Sequence, residues 1–302
     1  MRCTSPITVH GQQFNCGHCH ACRINYTSQW TLRCLYELSQ WKSASFITLT
    51  YDDLHLPKDY GLHPEDLRDF WKRLRFNLEN EYQEKKKIKY FACGEYGDNF
   101  GRPHYHAIVF GLDSYSDLDR EILSQSWSLC DPYMFDKNRK HNGMLEVCRE
   151  DIAYVCGYVQ KKLSGSLAEE KYKGRQAPFS RCSQGLGLDF ALANEERIKD
   201  NGYTYLGKQK IAIPRYLREK LDISQKELIN SDMALKLDQK HLKAVSEQFE
   251  KDMKARGTWY PENLTMMSIR FERWYDDCQF ALSRQIERDY LQRKKITSQR
   301  YI

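Results

Sequence analysis

The sequence predicts an α+β fold in which helices pack on an antiparallel sheet. Three observations carry that reading. Phe46–Tyr51 (FITLTY) alternates, with Phe46, Thr48 and Thr50 on one face and Ile47, Leu49 and Tyr51 on the other, and it is rich in β-branched residues. Tyr90–Leu112 (YFACGEYGDNFGRPHYHAIVFGL) holds two β-like runs, YFACGE and HYHAIVF, joined by a stretch with glycines and a proline, which reads as a hairpin with an elaborated loop. Helical patterns fall between and after these runs, giving the order strand, helix, strand, strand, helix, strand, helix.

The totals bound what such a fold can be. The 302 residues suffice for one sizeable core or two small ones. A hydrophobic content of 41% and a charged content of 29% describe a soluble globular chain and exclude a disordered one. No apolar run approaches the roughly 20 residues of a membrane span, and the N-terminus carries no signal-peptide pattern. A net charge of +6 is compatible with a polyanionic partner. The 11 cysteines are an odd number scattered through strand-like and helix-like runs, which argues for a reducing compartment with thiols free or metal-bound.

The elements follow in order. Residues 1–25 form a Cys-rich segment. Cys16, Cys19 and Cys22 are three apart, Cys3 lies within loop reach, and His18 and His20 fall between them. Four thiolates suit a structural zinc that would pin an otherwise coreless segment. The same spacing is shared by an iron–sulfur ligand run, and a reduced loop without metal fits as well. Residues 26–42 place Trp30, Cys34, Leu38 and Trp41 at helical spacing, with Arg23 and Arg33 as flanking solvated residues. Pro64 opens a long helix, with Glu65 and Asp66 in its first turn and Leu67, Phe70, Trp71, Leu74 and Leu78 as the buried stripe. Lys85, Lys86 and Lys87 form a basic surface run. A helix near Asp117–Trp127 and a short strand near Met144–Cys148 come next. Residues 166–215 read as a basic loop, with Lys171, Lys173, Arg175 and Arg181, followed by a hairpin turning at Gly207 and Lys208. Residues 216–302 read as a charged helical region whose function has no motif.

Chemistry concentrates in two stretches within residues 26–165. His104 and His106 are two apart in a strand, so both imidazoles face one side. Glu95 ends the preceding strand, and hairpin pairing brings its carboxylate to that side. Two nitrogens and one oxygen leave positions open on a divalent ion, as a catalytic site requires. Ile152–Leu163 (IAYVCGYVQKKL) reads as a helix starting after Asp151. Tyr154 and Tyr158 are four apart on one face, followed by Lys161 and Lys162. Taken alone, that helix also fits a packed amphipathic element. Together, a metal site with open positions, two phenols and two lysines are the parts for phosphodiester transfer through a tyrosyl-phosphate.

These stretches resemble the HUH-superfamily nicking endonucleases. FITLTYDD, PHYHAIVFG and YVCGYVQKK occur in the order of that family's motifs. The two-tyrosine helix is similar to that of rolling-circle replication initiators. CGHCHACR, SRCSQGLGLDF and IPRYLREKL extend the likeness to the initiators of gokushovirus-type microviruses over roughly residues 1–220. The resemblance implies an HUH palm with the tyrosine helix facing the metal-bearing side. It also implies Mg²⁺ or Mn²⁺ at Glu95, His104 and His106, although the imidazoles alone equally suit zinc. The implied partners are single-stranded origin DNA and a host helicase and polymerase, in the host bacterial cytoplasm. Tyr158 has a lysine three residues on, as in related initiators, whereas Tyr154 has Gly157, so Tyr158 is the better equipped nucleophile. The rival expectations are a transposase or relaxase of the same superfamily, a non-catalytic single-stranded nucleic-acid-binding palm, and a zinc-ribbon RNA-binding protein.

Overall fold

The computed structural model describes residues 3–82, 86–97, 100–140, 142–157, 166–206, 209–224, 239–261 and part of 263–288. Its elements run β1 (Ile7–Val9), β2 (Gln12–Phe14), α1 (His20–Leu38), β3 (Ala44–Thr50), α2 (Pro64–Glu81), β4 (Lys89–Tyr96), β5 (Pro103–Phe110), α3 (Asp117–Ser126), β6 (Met144–Glu146) and α4 (Arg149–Gly157). Then come α5 (Ser166–Tyr172), β7 (Phe179–Cys182), α6 (Leu188–Ala193), α7 (Glu195–Asn201), β8 (Thr204–Leu206), β9 (Gln209–Ile211), α8 (Arg215–Lys220) and α9 (Gln239–Ala255). The chain divides into two compact units. One comprises Met1–Tyr26, Glu196–Thr204 and Asp222–Ile302, and the other Thr27–Glu195 and Tyr205–Leu221.

The second unit holds a five-stranded antiparallel sheet in the order β6-β3-β5-β4-β7. This is the α+β fold expected from the sequence. Alternation along the strands gives the sheet two apolar faces. Ile47, Leu49, Tyr105, Ala107 and Val109 join the stripe Leu67, Phe70, Trp71, Leu74 and Leu78 of α2 and Ile122 and Leu123 of α3. On the other face, Phe91, Cys93, Ile108 and Phe110 pack against Cys34 of α1 and Ile152, Val155 and Cys156 of α4. The start signals of α2 are as read, with Pro64 in its first turn and Glu65 and Asp66 after it. The glycine before Glu95 serves this packing: a Cβ on Gly94 would stand 3.1 Å from the Tyr105 ring and 3.0 Å from that of Phe179.

Four features depart from the sequence reading. The stretch read as a basic loop after residue 165 contains α5 and β7. β7 is the fifth strand, pairing Phe179 with Gly94 and Cys182 with Phe91. A four-residue strand at a sheet edge carries too little periodicity to stand out locally. A second unread hairpin, β1–β2, turns at His10 and Gly11, both at positive φ (49° and 78°), the conformation of a two-residue primed turn. Lys86 is not a solvated lysine: it lies 2.6 Å from the fully buried Asp119 carboxylate, while Lys85 lies outside the described residues. Arg33 is buried too, donating to the Leu186 carbonyl at 3.1 Å between the Trp30 and Tyr216 rings. The hairpin expected at residues 202–213 is present as β8–β9, its turn residues 207 and 208 lying outside the described residues.

In the first unit, Phe249 and Met253 of α9 pack against Met267 and Trp274, and the described residues from 266 to 288 are helical. Trp274 donates its indole N–H to Asp252 at 2.8 Å. Among the described residues, no helix is long and apolar enough to cross a membrane.

Leu74→Ala is expected to lower the unfolding free energy by about 2–5 kcal/mol, because it empties a fully buried position. Leu145→Ala, at a half-exposed position on β6, is expected to change it by less than about 0.5 kcal/mol. Urea unfolding followed by circular dichroism measures both.

Candidate metal centre beside the tyrosine helix

The β4–β5 register sets Glu95 directly opposite His104 and Cys93 opposite His106. The three side chains named from the sequence therefore emerge on one face. Glu95 Oε1 lies 3.0 Å from His104 Nε2 and 3.5 Å from His106 Nε2. All three ligand atoms lie within 4.8 Å of one another. Glu95 and His106 are buried, at 3% and 8% exposure, and His104 is half-buried.

The remaining ring nitrogens are held by specific partners. His104 Nδ1 is 3.1 Å from the Arg102 carbonyl. A carbonyl only accepts, so Nδ1 carries the proton and Nε2 of a neutral ring presents its lone pair toward Glu95. Lone pair and carboxylate repel at this 3.0 Å separation unless a proton or a cation lies between them. His106 Nδ1 is 3.0 Å from the Thr48 hydroxyl, its cross-strand partner on β3. Two nitrogens and a carboxylate oxygen, converging with their outer nitrogens anchored, fit a hard or borderline divalent ion.

Two acidic residues weighed from the sequence stay out of this group. Asp52 accepts from the backbone N–H groups of Leu54 and His55 at 3.0 and 2.8 Å, as a turn-forming aspartate does. Asp53 pairs with Arg102 at 2.7 Å, and that arginine also donates to the Tyr51 carbonyl at 3.1 Å. The supporting residues Thr48, Arg102 and Phe46 were not named as site residues from sequence. For Thr48 the signal was there, since strand alternation already set it on the face of Phe46 and Thr50.

Helix α4 brings its tyrosine to this face. Ile152, Val155 and Cys156 are fully buried, while Tyr154 stands on the flank at 54% exposure. Its ring centroid is 5.9 Å from that of His106 and 6.4 Å from that of Phe46, both edge-on. Phe46 in turn stacks on His106 at 5.4 Å and 18°. The helix begins at Arg149, slightly earlier than read, and Asp151 accepts from the Cys148 N–H at 2.8 Å near its start. Tyr158, Lys161 and Lys162 lie outside the described residues.

The second predicted cluster assembles in the first unit. The sulfurs of Cys3, Cys16, Cys19 and Cys22 all lie within 4.8 Å of one another. Burial pushes the Cys3 and Cys22 thiols up. Burial acts upward on Cys19 as well, but hydrogen bonds from Thr4 and Cys22 outweigh it and bring that thiol to about 6.

Residues 44–163, which contain Glu95, His104, His106 and Tyr154, match the family model of the replication-associated protein ORF2. Over 226 residues the chain is 32% identical to the Replication-associated protein ORF2 of Spiroplasma virus 4, covering 68% of this chain and 67% of that one. This chain belongs to the microvirus-type replication-associated proteins. It is also similar to the Replication-associated protein VP4 of Bdellovibrio phage phiMH2K, at 29% identity over 216 residues, and to the Replication-associated protein ORF4 of Chlamydia phage 1, at 31% over 219 residues. Each alignment covers 68% of this chain, but 66% of the Bdellovibrio phage protein and 53% of the Chlamydia phage protein. The chain thus spans about two thirds and about half of their respective lengths. No solved structure matches it. The family expected from the motifs is therefore the family found, and the metal-face residues fall inside its matched region while the four cysteines fall outside.

Removing the hydroxyl that anchors His106, by Thr48→Val, is expected to weaken Mn²⁺ binding about 10–100-fold without unfolding the chain. The His104→Ala/His106→Ala pair is expected to abolish it. Isothermal titration with Mn²⁺ reads both.

Proposed function

We propose that this replication-associated protein is a rolling-circle initiator. In this reading it nicks and rejoins single-stranded origin DNA through a 5′-phosphotyrosine, acting in the cytoplasm of an infected bacterium. The observation that carries the reading is the exposed Tyr154 ring edge-on to His106, beside the convergence of Glu95, His104 and His106. A phenol next to a cation-binding set is the juxtaposition that tyrosyl transfer needs.

Glu95, His104 and His106 would hold Mg²⁺ or Mn²⁺. When bound, such an ion supplies Lewis-acid polarisation of the scissile phosphate. The protein's own part is nucleophile, orientation and charge. Thr48 and the Arg102 carbonyl fix the two imidazoles, so the ligand set needs little rearrangement. The phenol oxygen of Tyr154 or Tyr158 attacks phosphorus in line. The phenolic proton is lost, the phosphorus–phenol bond forms and the bond to the 3′ oxygen breaks, that oxygen taking up a proton. One phosphate ester replaces another, so the link remains reactive enough to be resolved by a later 3′-hydroxyl. Two tyrosines would allow a second cut at the regenerated origin before the first link is resolved. Lys161 and Lys162 would offset phosphate charge. The free 3′-hydroxyl is a primer end, which is why a host polymerase and a helicase are the partners this reading requires.

The test is denaturing gel electrophoresis after incubation with labelled circular single-stranded DNA and Mn²⁺. The expected result is a label at protein size, reduced roughly a thousandfold or more in the Tyr154→Phe/Tyr158→Phe variant while native-gel DNA binding persists. Binding without any covalent adduct under Mg²⁺ or Mn²⁺ would replace this reading with the non-catalytic single-stranded nucleic-acid-binding palm. An adduct that survives in the double variant would reject the tyrosine assignment.

A further inference from the structure

Cys3 and Cys16 flank the β1–β2 hairpin, and Cys19 and Cys22 lie at and inside the start of α1. We propose that these four cysteines bind one zinc ion, which clamps the hairpin to the first turn of α1. The site is separate from the Glu95–His104–His106 group and from the chemistry proposed there.

Geometry is the first argument. Four thiolates bound at about 2.3 Å around a tetrahedral zinc stand about 3.8 Å apart along each edge. Cys19 Sγ lies 3.8 Å from Cys3 Sγ, and all four sulfurs fall within 4.8 Å of one another. That separation is far from the roughly 2.05 Å of a disulfide, and all four are free thiols. The sulfurs are already spaced as ligands of a common ion.

The backbone is arranged for thiolates. Cys3 Sγ accepts from the Cys16 N–H at 3.3 Å, and Cys16 Sγ accepts from the N–H groups of His18 and Cys19 at 3.4 and 3.3 Å. Such bonds favour a negatively charged sulfur, the form a metal takes. Cys3, Cys19 and Cys22 are buried, at 3%, 8% and 7% exposure. Burying several thiolates together without a cation is strongly unfavourable.

The hairpin provides the reason for a clamp. Its strands are three residues each, and every residue from 5 to 15 whose side chain is described is exposed. An isolated two-stranded hairpin is marginal in water. The apolar cluster beside it contains only the cysteines and Ala21. Nothing else of apolar character among the described residues there holds chain to chain, so the free energy of metal binding would supply what a core does elsewhere. The ligand set selects the ion. Four soft sulfurs favour zinc over Mg²⁺ or Mn²⁺, whereas the two nitrogens and one oxygen on the sheet suit the harder ions. His18 and His20 are not members of the converging group.

The test is elemental analysis of the full chain purified in metal-free buffer, combined with titration by an organomercurial that caps thiolates. The expected result is about one zinc and no iron per chain, released in step with mercurial addition and not displaced by excess Mn²⁺. Cobalt substitution is expected to give the intense visible bands of a tetrahedral ion and a sulfur-to-cobalt charge-transfer band. The Cys19→Ser/Cys22→Ser variant is expected to lose the zinc, and in the zinc-free chain limited proteolysis is expected to cut within residues 5–15. The His104→Ala/His106→Ala variant is expected to retain it. Should the serine variant fail to fold, release from the unaltered chain by mercurial decides alone. Substoichiometric zinc, stoichiometric iron, or zinc that leaves with the histidines and not with the thiols would overturn the proposal, and none of these outcomes bears on DNA cleavage.

Discussion

The site depends on the register between β4 and β5. His104, Tyr105 and His106 are consecutive, and a slip of one residue would exchange two imidazoles for one phenol on the metal face. Tyr105 prevents that slip. It is fully buried on the opposite face, where its hydroxyl accepts from the His63 N–H at 2.9 Å and meets the Tyr51 hydroxyl at 2.8 Å. Burial pushes its phenol up to about 12, so it stays a neutral packing group. Gly94, directly opposite, leaves room for the ring. The residue that fixes the histidines is thus the one between them, pointing away.

From that register the rest of the site follows by strand geometry. β3 pairs with β5 so that Thr48 meets His106, and Phe46, two residues away on the same face, lies over the same imidazole. Helix α4 covers this face through Ile152, Val155 and Cys156, and its flank delivers Tyr154. The sheet supplies rigid ligands and the helix supplies an exposed phenol, a division suited to a reaction in which the nucleophile must accept a long polymer while the ligands hold still.

Much of this was legible in the sequence because it depends on short-range periodicity. Alternation in FITLTY and HYHAIVF assigned faces correctly, and the stripe of α2 was read residue by residue. The pairing of Glu95 with His104 needed only the assumption of a hairpin. What escaped the reading is set by distant contacts. β7 is a strand because β4 offers it an edge. Lys86 and Arg33 are held in place by Asp119 and by a pair of aromatic rings from remote segments. The thiol cluster was legible as a spacing, but the hairpin between Cys3 and Cys16 was not, since its residues have no buried face to create a pattern. The sequence favoured Tyr158 over Tyr154 on the position of one lysine, whereas the geometry that can be described belongs to Tyr154.

The most direct measurement is anomalous diffraction from crystals of the full chain soaked in Mn²⁺. The expected result is one strong manganese peak about 2.0–2.3 Å from His104 Nε2, His106 Nε2 and a Glu95 oxygen, on the side of the sheet where Tyr154 stands. Manganese bound elsewhere, with Glu95 still hydrogen-bonded to His104, would contradict it.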